Sequence, residues 1–170
     1  MNRWFRDDLK NFEAISIIDL LARYLDEGRI KVDPSRHRLL TTWHDPCHYG
    51  RKSLKAFGHA YFDQARSIVA RCAPNFVELY PTREENHCCG AGGGSWATPF
   101  KEERVFFGRF KARQIEASRA GLVVTSCYNC RDQIMKSLRK EYNLRVEVKY
   151  LWELVADSLV WPANRMGRQK

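Results

Sequence analysis

Five of the six cysteines in this 170-residue chain fall into one bracketed pattern: Cys47, the adjacent pair Cys88-Cys89, and Cys127 with Cys130 as a CxxC. Forty residues separate Cys47 from the pair, and 37 separate the pair from the CxxC. The local texts are His44-Asp45-Pro46-Cys47, Cys88-Cys89-Gly90-Ala91-Gly92-Gly93-Gly94 and Ser126-Cys127-Tyr128-Asn129-Cys130. Four thiolates complete a tetrahedral ion such as zinc, and two adjacent thiols cannot both serve one such ion without strain. A fifth sulfur donor therefore points to a larger group. Multi-iron sulfide clusters are held by cysteine thiolates.

The residues around the cysteines carry further chemistry. His44, His48 and His87 each lie within three residues of a proposed ligand and are candidate proton donors to a substrate sulfur. For each, a hydrogen bond within a polar loop is the competing reading; His87 directly abuts the pair. Gly90, Gly92, Gly93 and Gly94 lack the β-carbon that would keep a bulky group away, and their N–H groups could form a nest for anionic sulfides. A phosphate or dinucleotide loop competes with that reading. However, the run follows two cysteines, and the next clear helical stretch starts only near Glu102, after Pro99. Alone, the CxxC would fit a thioredoxin-like redox pair. Cys72, outside the bracket, reads as a small buried apolar residue. Trp96, Phe100, Phe106, Phe107 and Phe110 read as core, with Trp96 the aromatic placed to shield a cluster.

These residues need elements to position them. An amphipathic helix is expected from about Phe12 to Leu25, ended by Gly28 and the Asp33-Pro34 turn. Short apolar runs at Arg38–Trp43, Phe76–Tyr80, Leu122–Thr125 and Val146–Tyr150 read as strands. Helical stretches are expected at about Ser53–Cys72, Glu102–Ser118, Arg131–Tyr142 and Leu151–Leu159. The alternation predicts an α/β fold with a Rossmann-like open parallel sheet of about four strands flanked by helices. Cys47 then follows the first strand, the pair follows the second, and the CxxC follows the third. The carboxyl ends of parallel strands share one edge of the sheet, so the cluster site falls at the strand C-terminal ends.

Composition narrows the class. The chain holds 29 Lys and Arg against 20 Asp and Glu, a net charge of +9. Its basic residues, among them Arg66, Arg104, Lys111 and Arg131, read as a solvated helical surface, ending in the tail from Arg165 to Lys170. No nucleic-acid motif accompanies them, so a nucleic-acid partner is not expected. No apolar run reaches the roughly 18 residues of a membrane span, and the N-terminus lacks the apolar stretch of a secretory signal. A cytoplasmic location is expected, either free or peripheral at the cytoplasmic face of the membrane. There, cysteines serve metals or catalysis rather than disulfides.

The five-cysteine bracket resembles the cysteine-rich CCG domain of the heterodisulfide reductase B-subunit and its relatives. His44-Asp45-Pro46-Cys47 followed by Tyr49-Gly50-Arg51-Lys52 is most similar to the K-subunit of the sulfite-reduction-associated membrane complex. The resemblance covers about Ile30 to Trp161. It implies an N-terminal helical segment over 1–34 and a cysteine-rich domain over 35–170. It also implies a noncubane [4Fe-4S] cluster on Cys47, Cys88, Cys89, Cys127 and Cys130, with zinc as the alternative. The implied activity is a heterodisulfide-reductase-type oxidoreductase that cleaves or forms an S–S bond. Its substrate would be a thiol/disulfide cofactor or a sulfur-carrier protein, drawn by Arg51, Lys52 and Arg131 near the motifs. The family's CxxCxxCxxxCP ferredoxin runs are missing from this sequence. Electrons would therefore come from a ferredoxin-type iron–sulfur subunit, itself fed by a membrane quinone or haem subunit. A non-catalytic electron-transfer or scaffold subunit is the other reading.

Overall fold

A computed structural model describes residues 15–161. The expected helix segment Phe12–Ala14 and the basic tail from Arg165 to Lys170 lie outside the described residues. Three strands form one parallel sheet in the order β1-β2-β3: β1 (Thr41–Trp43), β2 (Leu122–Thr125) and β3 (Glu147–Tyr150). Thr41, Thr42 and Trp43 pair with Leu122, Val123 and Val124, while Leu122 to Thr125 pair with Glu147 to Tyr150.

The expected strand Phe76–Tyr80 is reduced to a single parallel bridge between Thr41 and Phe76. Thr41 donates to the Asn75 carbonyl and accepts from Val77 N–H. The Thr42 hydroxyl then takes the Val77 carbonyl at 2.7 Å. A side-chain donor at that carbonyl replaces a main-chain rung, and no further rung forms. The chain nevertheless passes to one side of β1 at Phe76 and to the other side at β2. Such a reversal in strand order opens a crevice beyond the strand ends.

Helices cover both faces of the sheet. α1 (Ile17–Asp26), α3 (Phe62–Cys72) and α8 (Leu151–Ser158) bury Ile18, Ile68, Val69, Leu151 and Leu154 against Trp43, Leu122 and Val124. The opposite face carries α4 (Lys101–Phe107), α5 (Arg109–Ser118) and a helical run whose stretches are α6 (Tyr128–Asp132), a wider turn over Gln133–Leu138, and α7 (Arg139–Glu141). Val105, Ala112, Ile115, Ile134 and Leu138 pack there against Val123 and Val148. The two-residue period of β2 sends Leu122 and Val124 to one layer and Val123 to the other. Ser16 caps α1, accepting from Asp19 N–H at 3.1 Å. Cys72 is fully buried in the first layer.

Two expected helices are interrupted by glycine. Gly58, left-handed at φ +69, ends α2 (Ser53–Phe57), so Ser53–Cys72 is two helices rather than one. Gly108 separates α4 from α5 within the expected Glu102–Ser118 stretch. Phe100, Phe106, Phe107 and Phe110 are exposed rather than core. Val105, Ala112 and Ile115 occupy the inward face of these helices, which leaves the phenylalanines outside. The charges correct the expectation in the opposite sense: Lys111 is fully buried and Arg104 nearly so, not part of a solvated surface.

Candidate metal centre

The chain leaves β1 through a turn whose carboxylate is the anchor of the site. Asp45 accepts from Trp43 Nε1 at 2.8 Å, from both Nη atoms of Arg66 at 2.8 and 2.7 Å, and from Arg83 N–H at 3.1 Å. Burial works against its charge, but the Arg66 guanidinium holds the carboxyl below its ordinary range. Arg66 also donates to Glu78 Oε2 and Thr82 Oγ1, so one guanidinium from α3 joins the loop after β1 to the segment leading to the cysteine pair. Asn86 Nδ2 donates to the Asp45 carbonyl at 2.6 Å, and Arg51 Nη1 donates to the carbonyls of Glu84 and Asn86, both at 3.0 Å. These bonds fix Cys47 and Cys88 relative to one another. Sequence reading placed Arg66 on the surface and gave Asn86 no role. Its one signal was Asp45 in the turn before Cys47.

The pair enters beside the α4–α5 junction. Gly90 has φ +89, and a β-carbon on it would lie 2.3 Å from the Arg104 carbonyl oxygen and 3.0 Å from Gly108 N. A β-carbon on Gly108 would lie 2.8 Å from the Cys89 carbonyl oxygen. The third residue of Cys-Cys-Gly is thus glycine because two backbones meet there. Gly93 and Gly94 also have positive φ, and space is open beside Gly92, Gly93 and Gly94. The CxxC follows β2, with Cys127 at the N-cap of α6.

These elements bring the sulfurs to one place. Cys89 Sγ and Cys130 Sγ are 3.2 Å apart, and Gly90 N–H points at Cys88 Sγ at 3.3 Å. A tight recess is lined by His44, Asp45, Cys47, Arg51, Asn86, Cys88, Cys89 and Cys130. Cys127 and Trp96 pack against Cys89, Ala91 and Cys130, so the tryptophan does cover one side of the sulfurs. The Arg104 guanidinium lies 3.6 Å from the Trp96 ring centroid. All six cysteines are free thiols.

The thiols polarise one another. The neighbouring Cys130 and Cys88 thiols hold the Cys89 thiol well below its ordinary value, against burial. Cys130, donating to Cys127 and Cys89, is pushed up. Cys88 is raised by its bond to Cys89 and by burial. The Cys130 thiol and the N–H groups of Cys130 and Asn129 bring Cys127 down to about 6. Cys127, at the start of α6, therefore carries anionic character, as a metal ligand must.

The three histidines separate. His44 is buried with neither ring nitrogen partnered, and one of those nitrogens lies within 4.8 Å of the sulfurs of Cys89 and Cys130. Burial, with Lys111 adding to it, keeps this ring neutral. His48 is exposed, its Nδ1 4.0 Å from Cys47 Sγ and its Nε2 3.3 Å from Lys52 Nζ. His87 leans on Phe110, with ring centroids 5.7 Å apart. Of the expected basic mouth, Arg51 is tied to carbonyls as described above. Arg131 stacks on Tyr150 and pairs with Asp132 and Glu153.

Curated relatives share parts of this chain. It is 28% identical over 149 residues to the D-subunit of dihydromethanophenazine:CoB–CoM heterodisulfide reductase of Methanosarcina mazei, covering 87% of this chain and 34% of that protein. It is 27% identical over 139 residues to EtfAB:quinone oxidoreductase of Syntrophomonas wolfei, covering 76% of this chain and 18% of that one. The probable iron-sulfur-binding oxidoreductase FadF of Bacillus subtilis is 25% identical over 172 aligned positions, covering 98% of this chain and 23% of its own length. The chain thus spans about a third or less of these relatives. Residues 41–135, from the first residue of β1 into the helix after the CxxC, match the CCG cysteine-rich domain, and the chain belongs to that family.

Proposed function

We propose that this chain is the cysteine-rich part of an iron–sulfur oxidoreductase of heterodisulfide-reductase type. In this reading Cys47, Cys88, Cys89, Cys127 and Cys130 hold a noncubane [4Fe-4S] cluster, at which a disulfide-like S–S bond is cleaved or formed. The observation that carries it is the convergence of five thiols from three loops, with two sulfurs 3.2 Å apart and one thiol lowered to about 6. The donor set fits the group: it exceeds what one tetrahedral ion uses. Trp96 seals one side of it, and Cys88 and Cys47 keep it open to solvent. When bound, the cluster supplies single electrons and iron that binds sulfur.

In the reductive direction one S–S bond breaks, and the disulfide takes up two electrons and two protons to leave two thiols. His48 is the ring placed to hand over a proton, being exposed and adjacent to Cys47. His44 is sealed and neutral, so it serves the centre as a donor or ligand rather than as a proton carrier. His87 is the remaining candidate, held against Phe110. Gly90 fixes the cysteine pair in the fold, and Gly92–Gly94, with open space beside them, would offer N–H groups to anionic sulfides. Electrons arrive from a ferredoxin-type subunit or domain, itself fed by a membrane quinone or haem subunit. The relatives named as part of a heterodisulfide reductase and as an EtfAB:quinone oxidoreductase support such an arrangement.

A second reading has its own observation. His44, Cys89 and Cys130 already form a buried triad that suits a single ion, as a zinc scaffold would need. Anaerobic metal and sulfide analysis separates the two. About four irons with matching sulfide are expected, lost in Cys88→Ser or Cys89→Ser and kept in Cys72→Ala. One zinc per chain without sulfide would overturn the cluster reading.

A further inference from the structure

Lys111 is among the largest fully buried side chains of the protein, at 0% exposure. Its ammonium donates to Asn86 Oδ1 and Gln114 Oε1, both uncharged. The amide orientations are fixed from behind: Asn86 Nδ2 donates to the Asp45 carbonyl at 2.6 Å, and Gln114 Nε2 donates to the Pro81 carbonyl at 2.6 Å. Both oxygens are therefore turned on Lys111 by bonds that do not involve it. This pocket is built to receive an N–H donor, yet it holds no carboxylate.

A buried ammonium without a counter-ion is strongly disfavoured. Among the described residues no carboxylate forms an ion pair with Lys111, and the neighbouring Asp45 is already engaged by both Nη atoms of Arg66. Burial drives Lys111 down to about 7, against the pull of Asp45 and of the sulfurs of Cys89, Cys130 and Cys88. The uncommitted negative charge that reaches Lys111 is sulfur, that of Cys89 foremost. Asn86 joins the two sites, since it lines the cysteine recess and accepts from Lys111. An iron–sulfur centre adds anionic sulfide to the thiolates, and its potential follows net charge and surroundings.

We propose that Lys111 is the buried counter-cation of the metal centre, a positioning residue that favours the centre's more negative, reduced form and so raises its reduction potential. This rests on the cluster reading above. It explains why a lysine occupies a place that a neutral donor such as glutamine would fill at lower desolvation cost: the charge serves the loaded state, not the empty fold.

The test compares wild type with Lys111→Gln and Lys111→Met, each produced and reconstituted anaerobically. Glutamine keeps a donor for Asn86 and Gln114 while removing the charge; methionine removes both. Iron and sulfide are measured first, and wild type without a four-iron cluster refutes the cluster reading before any variant is compared. In redox titrations followed by electron paramagnetic resonance, both variants are expected to take full iron. At the potential where the wild-type centre is half reduced, their reduced-to-oxidised ratio is expected to fall about ten-fold, a downward shift of about 59 mV for one electron. In the metal-free state Lys111→Gln, which still donates to the fixed amide oxygens, is expected to resist urea at least as well as wild type, which a lysine whose charge served the empty fold would not allow. Full loading with an unchanged midpoint in Lys111→Gln overturns the proposal. If both neutral variants fold by circular dichroism yet hold no iron, Lys111→Arg is expected to recover it. Lys111→Arg as empty as the neutral variants also overturns the proposal.

Discussion

Gly90→Ala puts a number on the cysteine-pair loop. Gly90 sits at φ +89, where a non-glycine residue costs about 1–3 kcal/mol. The new β-carbon would stand 2.3 Å from the Arg104 carbonyl oxygen. Ordinary carbon–oxygen contacts begin near about 3.3 Å, so one backbone must move by about 1 Å. The obstacle is main chain on α4, pinned by its hydrogen bond to Gly108 N–H at 3.2 Å. Overpacking of that kind adds about 1–3 kcal/mol. The sum, about 2–6 kcal/mol, is a large fraction of the 5–15 kcal/mol typical of a domain.

Urea denaturation of the reduced, metal-free protein measures it through the fluorescence of buried Trp43. With a slope of about 2 kcal/mol/M, the middle of the usual range, the midpoint is expected to fall by roughly 1–3 M. Two neighbours calibrate the result. Gly93→Ala meets open space but keeps φ +64, so about 1 kcal/mol is expected. Gly92→Ala meets nothing and needs no left-handed backbone, so it is expected to be neutral or slightly stabilising. Gly90→Ala no less stable than Gly92→Ala would refute the claim that two backbones meet at Gly90. Because Gly108 abuts the Cys89 carbonyl, iron loading is expected to drop in Gly90→Ala alone of the three.

Arg66→Met strands the buried Asp45 carboxylate and is expected to cost about 3–5 kcal/mol in urea denaturation. The lowered Asp45 contributes stability that is complete above its unfolded value and lost as pH falls through its folded one. The wild-type decline below about pH 4 is therefore expected to flatten in this variant, and parallel acid limbs would contradict the pairing. In the metal-free protein Cys127, at about 6, is expected to react with iodoacetamide at neutral pH ahead of the more exposed but raised Cys88, with Cys72 last. Peptide mapping that finds Cys88 labelled first would contradict the hydrogen-bond order of the thiols. Lys52, exposed and in contact with His48, forms no ion pair with a carboxylate among the described residues. Lys52→Glu is expected to weaken association of an anionic thiol at low salt with iron unchanged, and no salt-dependent loss would exclude this entry route.

The parts of the protein that sequence made legible are those written in local pattern. Leu122–Thr125 is a strand with the bounds its apolar run predicts, because every one of its side chains is buried between two helical layers. The turns after β1 and β2 could be assigned to one edge from parallel topology alone, and Cys47 and Cys130 from those turns line one recess. Local pattern says nothing about which distant group neutralises a charge. Arg66 and Lys111 each look like solvent-facing residues of an amphipathic helix; Arg66 is committed to Asp45, 21 positions away, and Lys111 to Asn86, 25 positions away. The Phe76 edge failed for a related reason, since the Thr42 hydroxyl took a carbonyl that a neighbouring strand would have used. The three misreadings share a cause. Each involves a polar group satisfied by a residue distant in sequence, which local periodicity does not see. A site that gathers anionic sulfur inside a fold needs buried cations and fixed amides around it, and those were the residues that periodicity assigned to solvent.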